Sequence, residues 1–201
     1  MALWLAREPL VLASRSKARQ ALLRAAGVVL EVKPADLDER GLEAAAPPGP
    51  GAVAAFLARA KATAAAALGP GRLTLGADQT LALGATSFAK PADRAAARAQ
   101  LTALRGRTHE LHSAIAFVED GRVLFEDVSV ARLTMRAFSD RFLDDYLDSV
   151  GEAAMTSVGA YQLEGPGAQL FERVDGDYFT VLGLPLFAAL DFLRRQGCLA
   201  A

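Results

Sequence analysis

A chain of 201 residues, 52% hydrophobic and 22% charged, is long enough to bury a full core and lacks the composition of a disordered segment. Its net charge of −1 argues against duplex nucleic acid or an anionic membrane surface as the main partner. The single cysteine, Cys198, excludes an intramolecular disulfide, and two histidines, His109 and His112, with that one cysteine are too few for a His/Cys zinc site. The opening MALWLAREPLVLAS is apolar but is interrupted by Arg7, Glu8 and Pro9 and has no basic region before it. No stretch approaches the roughly 20 apolar residues of a membrane helix. The expectation is one soluble, cytoplasmic domain over residues 1–201.

In chain order, Pro9–Ser14 reads as a short buried strand that opens directly into a helix over Arg15–Gly27, with Ser16 as N-cap and Gly27 as stop. Val28–Pro34 reads as a second strand, followed by an acidic turn, ADLDER, and by GLEAAAPPGPG, a loop punctuated by Pro47, Pro48 and Pro50. Gly51–Leu68 reads as a long Ala-rich helix and Arg72–Gly84 as a strand with Asp78 inside it. A helix follows over Pro91–Gly106. Thr108–Val118 and Val123–Thr134 then alternate apolar and polar residues around Glu119–Arg122, a hairpin. Ser139–Val150 is a helix, Gln169–Val174 a strand in a glycine-punctuated stretch, and Leu186–Gln196 the closing helix. Alternating helices and strands with a central hairpin predict an α/β or α+β fold with a mixed sheet.

The first strand–helix junction is the most pointed feature. A strand running into a helix N-terminus aims free N–H groups and the positive end of the dipole at one place. Ser14, Arg15, Ser16, Lys17 and Arg19 crowd that place with hydroxyls and positive charge, which suits phosphate. The junction has neither a P-loop nor a Gly-x-Gly-x-x-Gly fingerprint. Asp78 lies among apolar, small and neutral residues, where an unpaired charge would be costly, so it needs a metal, a lysine or a substrate as partner. Gly76 and Ala77 allow another group to come close. Only four of the 22 basic residues are lysines, namely Lys17, Lys33, Lys61 and Lys90, which draws attention to Lys61 and Lys90 as positions suited to a compact ammonium. Taken alone, Lys61 reads as an exposed helix residue and Glu39 as part of a solvated acidic loop. Lys90, before Pro91, projects from a loop. His109 reads as a structural histidine in a strand, and Glu164 as an exposed carboxylate able to accept N–H bonds. A carboxylate pair with spaced cations suits metal-assisted hydrolysis of a nucleoside triphosphate, in which a carboxylate orients or deprotonates water.

LASRSKARQALLRAAG, DLDE, Lys61 in its Ala-rich helix, GADQT, AKP, LRGRTHE, GAYQLEG and LFERVDGDYFTVLGLPL occur in the order of one family. From Leu10 to about Arg195 the chain resembles the Maf family of septum-formation-inhibitor-like nucleoside triphosphate pyrophosphatases. The resemblance implies an elongated α/β fold, a mixed sheet with flanking helices and two lobes around a central cleft, and association as a homodimer. It also implies hydrolysis of non-standard or modified nucleotides to monophosphate and pyrophosphate with a divalent metal, Mg or Mn, and no membrane or nucleic-acid polymer as partner. On this resemblance Asp78 is the proton acceptor, Glu39 and Asp78 hold metal, and Ser14, Arg19, Lys61 and Lys90 bind phosphate or shape that site. The chain departs from the family's Ser-x-Ser-Pro-Arg-Arg at Lys17 and Ala18. Gln79 stands where a threonine is common, and Glu164 where one branch has glutamine. Both changes resemble the branch acting on 7-methylguanosine triphosphate, although that branch carries tryptophan at the place of Ala18. Gln79 and Glu164 are thus substrate-binding candidates for a purine-type or broad base preference. The alternative function is a non-catalytic nucleotide-binding regulator of cell division.

Overall fold

A computed structural model describes residues 3–200; the outermost positions of the expected 1–201 domain lie outside the described residues. The elements in chain order are β1 (Leu10–Leu12), α1 (Lys17–Ala25), β2 (Leu30–Val32), α2 (Glu39–Ala45), α3 (Pro50–Ala66), β3 (Thr74–Leu83) and β4 (Thr86–Phe88). They continue as α4 (Arg94–Leu104), β5 (Thr108–Glu119), β6 (Arg122–Met135), α5 (Asp140–Val150), β7 (Phe171–Asp175), α6 (Tyr178–Val181) and α7 (Leu186–Arg195). The strands form one mixed seven-stranded sheet in the order β2-β1-β3-β5-β6-β7, with β4 paired to β3. This is the mixed sheet with flanking helices expected from the sequence. Among the described residues no helix is long and apolar enough to cross a membrane.

The chain divides into two compact units. The first contains the residues up to Gln79, Ser113–Ser129 and the residues from Tyr178 onward. Here β1 runs parallel to β2 and to β3, pairing Leu10 with Leu30 on one side and Leu12 with Leu75 on the other. Because side chains alternate along a strand, the two sheet faces carry different cores. Leu10, Leu12, Leu75, Ala77, Ile115 and Phe117 pack with Leu23 of α1 and with Ala189, Phe192 and Leu193 of α7. On the other face, Ala114, Ala116 and Val118 pack with Ala54, Ala58, Ala62 and Ala66 of α3, a ridge at four-residue spacing. The link from β1 to β2 therefore covers one face and the link from β2 to β3 the other. In open α/β sheets ligands bind beyond the carboxyl end of a strand at such a switch, and here that end is the end of β1, which runs on into Ser14 beside β3.

The second unit contains Thr80–His112 and Val130–Asp177. It packs Leu81, Leu101, Leu104, Leu111, Leu133, Met135, Leu143 and Tyr146 out of solvent. α5 starts at the cap Ser139, whose hydroxyl accepts from Phe142 N at 3.1 Å. Its aspartates meet arginines of α4, Asp144 with Arg98 at 2.9 Å and Asp148 with Arg94 at 2.8 Å.

Three local expectations change. The stretch read as an acidic turn and loop holds α2, capped by Asp38, whose Oδ1 accepts from Gly41 N at 3.1 Å. The prolines misled because they stand after the helix: Pro47 and Pro48 follow its end, and Pro50 opens α3 at the first helical position, where a missing N–H does no harm. β4, three residues long, is a short return strand from the Gly84 turn. Between α5 and β7 stand 3-10 turns at Gly151–Met155, Val158–Ala160 and Pro166–Leu170; the last takes Gln169 and Leu170, so the strand expected from Gln169 starts at Phe171.

Candidate active site

At the β1–α1 junction the N-cap expected at Ser16 is present, and the helix runs over Lys17–Ala25. Ser16 caps α1, its hydroxyl accepting from Arg19 N at 3.3 Å. Ser14 is buried just beyond β1, and its Oγ accepts from Ser16 N at 3.3 Å and from Arg19 Nη1 at 3.2 Å. With both acceptor sites of that oxygen engaged, its own proton is left to donate outward. The Arg19 guanidinium is clamped by main-chain carbonyls: Nη1 donates to Ala77 O at 2.8 Å and Nε to Gly183 O at 2.8 Å. Burial lowers its pKa from the ordinary arginine value, while the charges of Asp78 and Glu39 act in the opposite sense. Arginine stays protonated under such shifts. The guanidinium is therefore a fixed cation whose Nη2 edge carries no protein hydrogen bond among the described residues. Gly183 adopts a φ of +88°, and a Cβ there would stand 3.2 Å from that Nη2. Glycine at this position keeps the edge open.

Asp78 is buried, and its partner is Lys61, whose Nζ donates to Asp78 Oδ1 at 2.6 Å. The same ammonium donates to Glu39 Oε2 at 2.8 Å. One lysine thus joins two carboxylates from separate elements. Its side chain is only 12% exposed, which corrects the reading of Lys61 as an exposed helix residue. Glu39 is the first residue of α2, not part of a loop, and its side chain remains 54% exposed.

The reason Lys61 can reach Asp78 lies two residues earlier. Gly76 and Asp78 share one face of β3, the face covered by α3. A Cβ on Gly76 would collide with Ala58 O and would lie 2.6 Å from Ala62 N and 2.9 Å from Ala62 Cβ. Glycine on the strand and alanines on the helix let the two backbones touch, and Lys61 adjoins that contact. The signal was present in the sequence as Gly76 facing an alanine ridge, but it takes the pairing of α3 with β3 to give it meaning.

Gln79 points to the opposite face. Its Nε2 lies 2.9 Å from Ser113 Oγ, 3.1 Å from Thr180 O and 3.1 Å from Val181 O. Ser113 Oγ in turn donates to Thr180 O at 2.7 Å. With Arg19 holding Gly183 O, these bonds fasten α6 and the turn after it to the first unit's sheet. Nothing in the sequence marked Ser113, Thr180 or Gly183 for that work, since each acts through a main-chain carbonyl or a lone hydroxyl.

The remaining candidates belong to the second unit. Lys90 is exposed between β4 and α4, before the buried Pro91. Glu164 is exposed in the turn that precedes Pro166–Leu170. His109 is buried, with Nε2 2.7 Å from Tyr161 Oη, but Nδ1 has no partner among the described residues. Burial alone pushes its imidazole down to about 4. It is a structural histidine, as expected, though only half satisfied.

For a divalent cation, the relevant donors are Glu39 and Asp78. Among the described residues no group of three or more His, Cys, Asp or Glu side chains gathers around one point. Two carboxylates still fit magnesium or manganese, which commonly take one or two carboxylates and complete their shell with water and substrate phosphate oxygens.

A family model described as Maf-like protein matches residues 9–196. The chain is 57% identical over 201 residues, all of both chains, to a nucleoside triphosphate pyrophosphatase of Rhodopseudomonas palustris. It is 54% identical over 201 residues, again all of both chains, to one of Bradyrhizobium diazoefficiens. Against one of Paramagnetospirillum magneticum it is 53% identical over 190 residues, 93% of this chain and 98% of the other.

Proposed function

The chain belongs to the Maf family, and from that premise we propose that it hydrolyses nucleoside triphosphates to nucleoside monophosphate and pyrophosphate. The observation that carries this reading is the pair of carboxylates, Glu39 and Asp78, joined through Lys61 within electrostatic reach of the clamped Arg19. In this reading Ser14 and Arg19 bind phosphate oxygens, the hydroxyl by its free proton and the guanidinium by its Nη2 edge. Asp78 accepts a proton from water as that oxygen bonds to the α-phosphorus. The bond from the α-phosphorus to the bridging oxygen breaks, and pyrophosphate leaves with the electron pair. Arg19 and Lys61 stabilise the charge that develops on the departing group. Glu39 and Asp78 would hold a magnesium or manganese ion, which when bound neutralises phosphate charge.

Gln79 serves the substrate through the turn it fastens. Lys90 is assigned a part in turnover, and Glu164 a part in the choice of base, with a purine-type or broad preference. Clearing non-standard or modified nucleotides is the proposed role. Turnover in ¹⁸O-labelled water tests the reaction. Label in the monophosphate alone, with unlabelled pyrophosphate, is the expected result. Label in pyrophosphate would mean attack at the β-phosphorus, and release of orthophosphate would replace the proposal with a different phosphohydrolase.

A further inference from the structure

Lys61 joins, through one ammonium, the two carboxylates read as metal-holding. Its Nζ lies 2.6 Å from Asp78 Oδ1 and 2.8 Å from Glu39 Oε2, on carboxylates supplied by β3 and α2. An ammonium between two carboxylates and a divalent cation between the same two exclude each other, by occupancy and by like charge. With Arg19 included, the four side chains sum to zero formal charge, so the site has no net pull on a bare divalent cation.

The two cations of this corner differ in freedom. Arg19 is fixed by Ala77 O, Gly183 O and Ser14 Oγ. Lys61 has a flexible four-carbon stem whose ammonium bonds only to the two carboxylates among the described residues, so it can turn to another anion without breaking a main-chain contact. A triphosphate chain is such an anion.

We propose that Lys61 is a resident counter-ion that keeps a divalent metal off Glu39 and Asp78 until a nucleoside triphosphate draws its ammonium away, so that metal and nucleotide bind as one cooperative event. This rests on the reading of Glu39 and Asp78 as metal-holding residues. The consequence for the protein is that the metal is refused in the absence of substrate, and Lys61 passes from one set of oxygens to another as the site fills. Since coupling is reciprocal, the nucleotide binds more tightly with metal by the same factor that the metal binds more tightly with nucleotide.

The test measures free Mn²⁺ by electron paramagnetic resonance for the wild type and for Lys61→Met, each alone and with a triphosphate analogue carrying a methylene between the α- and β-phosphorus. Lys61→Gln serves in parallel should Lys61→Met fail to fold. Lys61→Met is expected to bind Mn²⁺ at least about tenfold more tightly than the wild type without nucleotide, about 1.4 kcal/mol. The analogue should close that gap in the wild type beyond its own affinity for Mn²⁺ and tighten the variant by a smaller factor. Equal Mn²⁺ affinity in wild type and variant without nucleotide would overturn the proposal. So would a wild type that binds Mn²⁺ as tightly alone as with the analogue. These comparisons read metal binding and not turnover. An absence of hydrolysis would count against the proposed function and leave the Mn²⁺ comparison to decide this inference separately.

Discussion

Replacing Gly76 by alanine adds one methyl group where β3 meets α3. That methyl would collide with Ala58 O, and it would lie 2.6 Å from Ala62 N and 2.9 Å from Ala62 Cβ. Two of these atoms are helix backbone and cannot turn aside, so α3 must move as a body by roughly an ångström to reach ordinary contact. Overpacking of this kind costs about 1–3 kcal/mol, and the upper end applies where backbone must yield. For a chain of this size, 3 kcal/mol corresponds to a fall in melting temperature of about 6–12 °C. Activity should suffer beyond the loss of stability. Lys61 travels with α3, its 2.6 Å bond to Asp78 lengthens, and a misplacement of about 1 Å in such a site can cost on the order of a hundredfold in rate. Gly69→Ala is the control, because a Cβ there meets only Arg72 Cγ at 3.7 Å, an ordinary contact. Thermal unfolding followed by circular dichroism, with pyrophosphate release assayed well below both melting points, separates the two effects. A Gly76→Ala protein that melts with the wild type and turns over normally would refute the close-approach argument.

Other perturbations probe the second unit. The unfolded chain takes up a proton on His109 near the ordinary value of 6.5, whereas the folded chain holds that imidazole down to about 4. Stability therefore falls as pH drops through that window, by roughly 3 kcal/mol in full, because the unfolded state binds more protons there. His109→Gln should flatten this part of the profile in denaturant midpoints measured from neutral pH to about pH 4; equal slopes for the two proteins would count against it. Lys90→Ala should lower turnover sharply and leave the melting temperature nearly unchanged, since the side chain is exposed; a variant that unfolds would assign Lys90 a structural role instead. Glu164→Gln should reorder the ranking of nucleoside triphosphates by kcat/KM with pyrophosphate still the product, and an unaltered ranking would remove Glu164 from base recognition.

How far the sequence revealed this molecule depended on whether the deciding contacts were local. The β1–α1 junction could be read because a cap at Ser16 and a stop at Gly27 act within a few residues of their own positions. Asp78 could be singled out because burying a charge demands a partner, whatever the fold. Which partner it found could not be read, since Lys61 reaches it only through the packing of α3 on β3. α2 escaped notice for a different reason: it is seven residues long and buries none of them, so no apolar period marks it. Gln79 was noticed as a departure from the family, but its bonds to Thr180 O and Val181 O depend on α6, about a hundred residues away. The scarcity of lysine drew attention to Lys61, whose ammonium lies between two carboxylates, while the neighbouring guanidinium of Arg19 is held by main-chain carbonyls.

Asp78 is proposed to activate water in a reaction that yields pyrophosphate. That role is tested most directly by products from a panel of standard and modified nucleoside triphosphates, with magnesium or manganese, comparing wild type with Asp78→Asn. The wild type should release pyrophosphate and monophosphate, and the folded variant should lose about a hundredfold or more of that rate, the range expected for removing a general base. A variant that keeps its rate would remove Asp78 from the chemistry, and a wild type that turns over no member of the panel would rule out the hydrolysis itself.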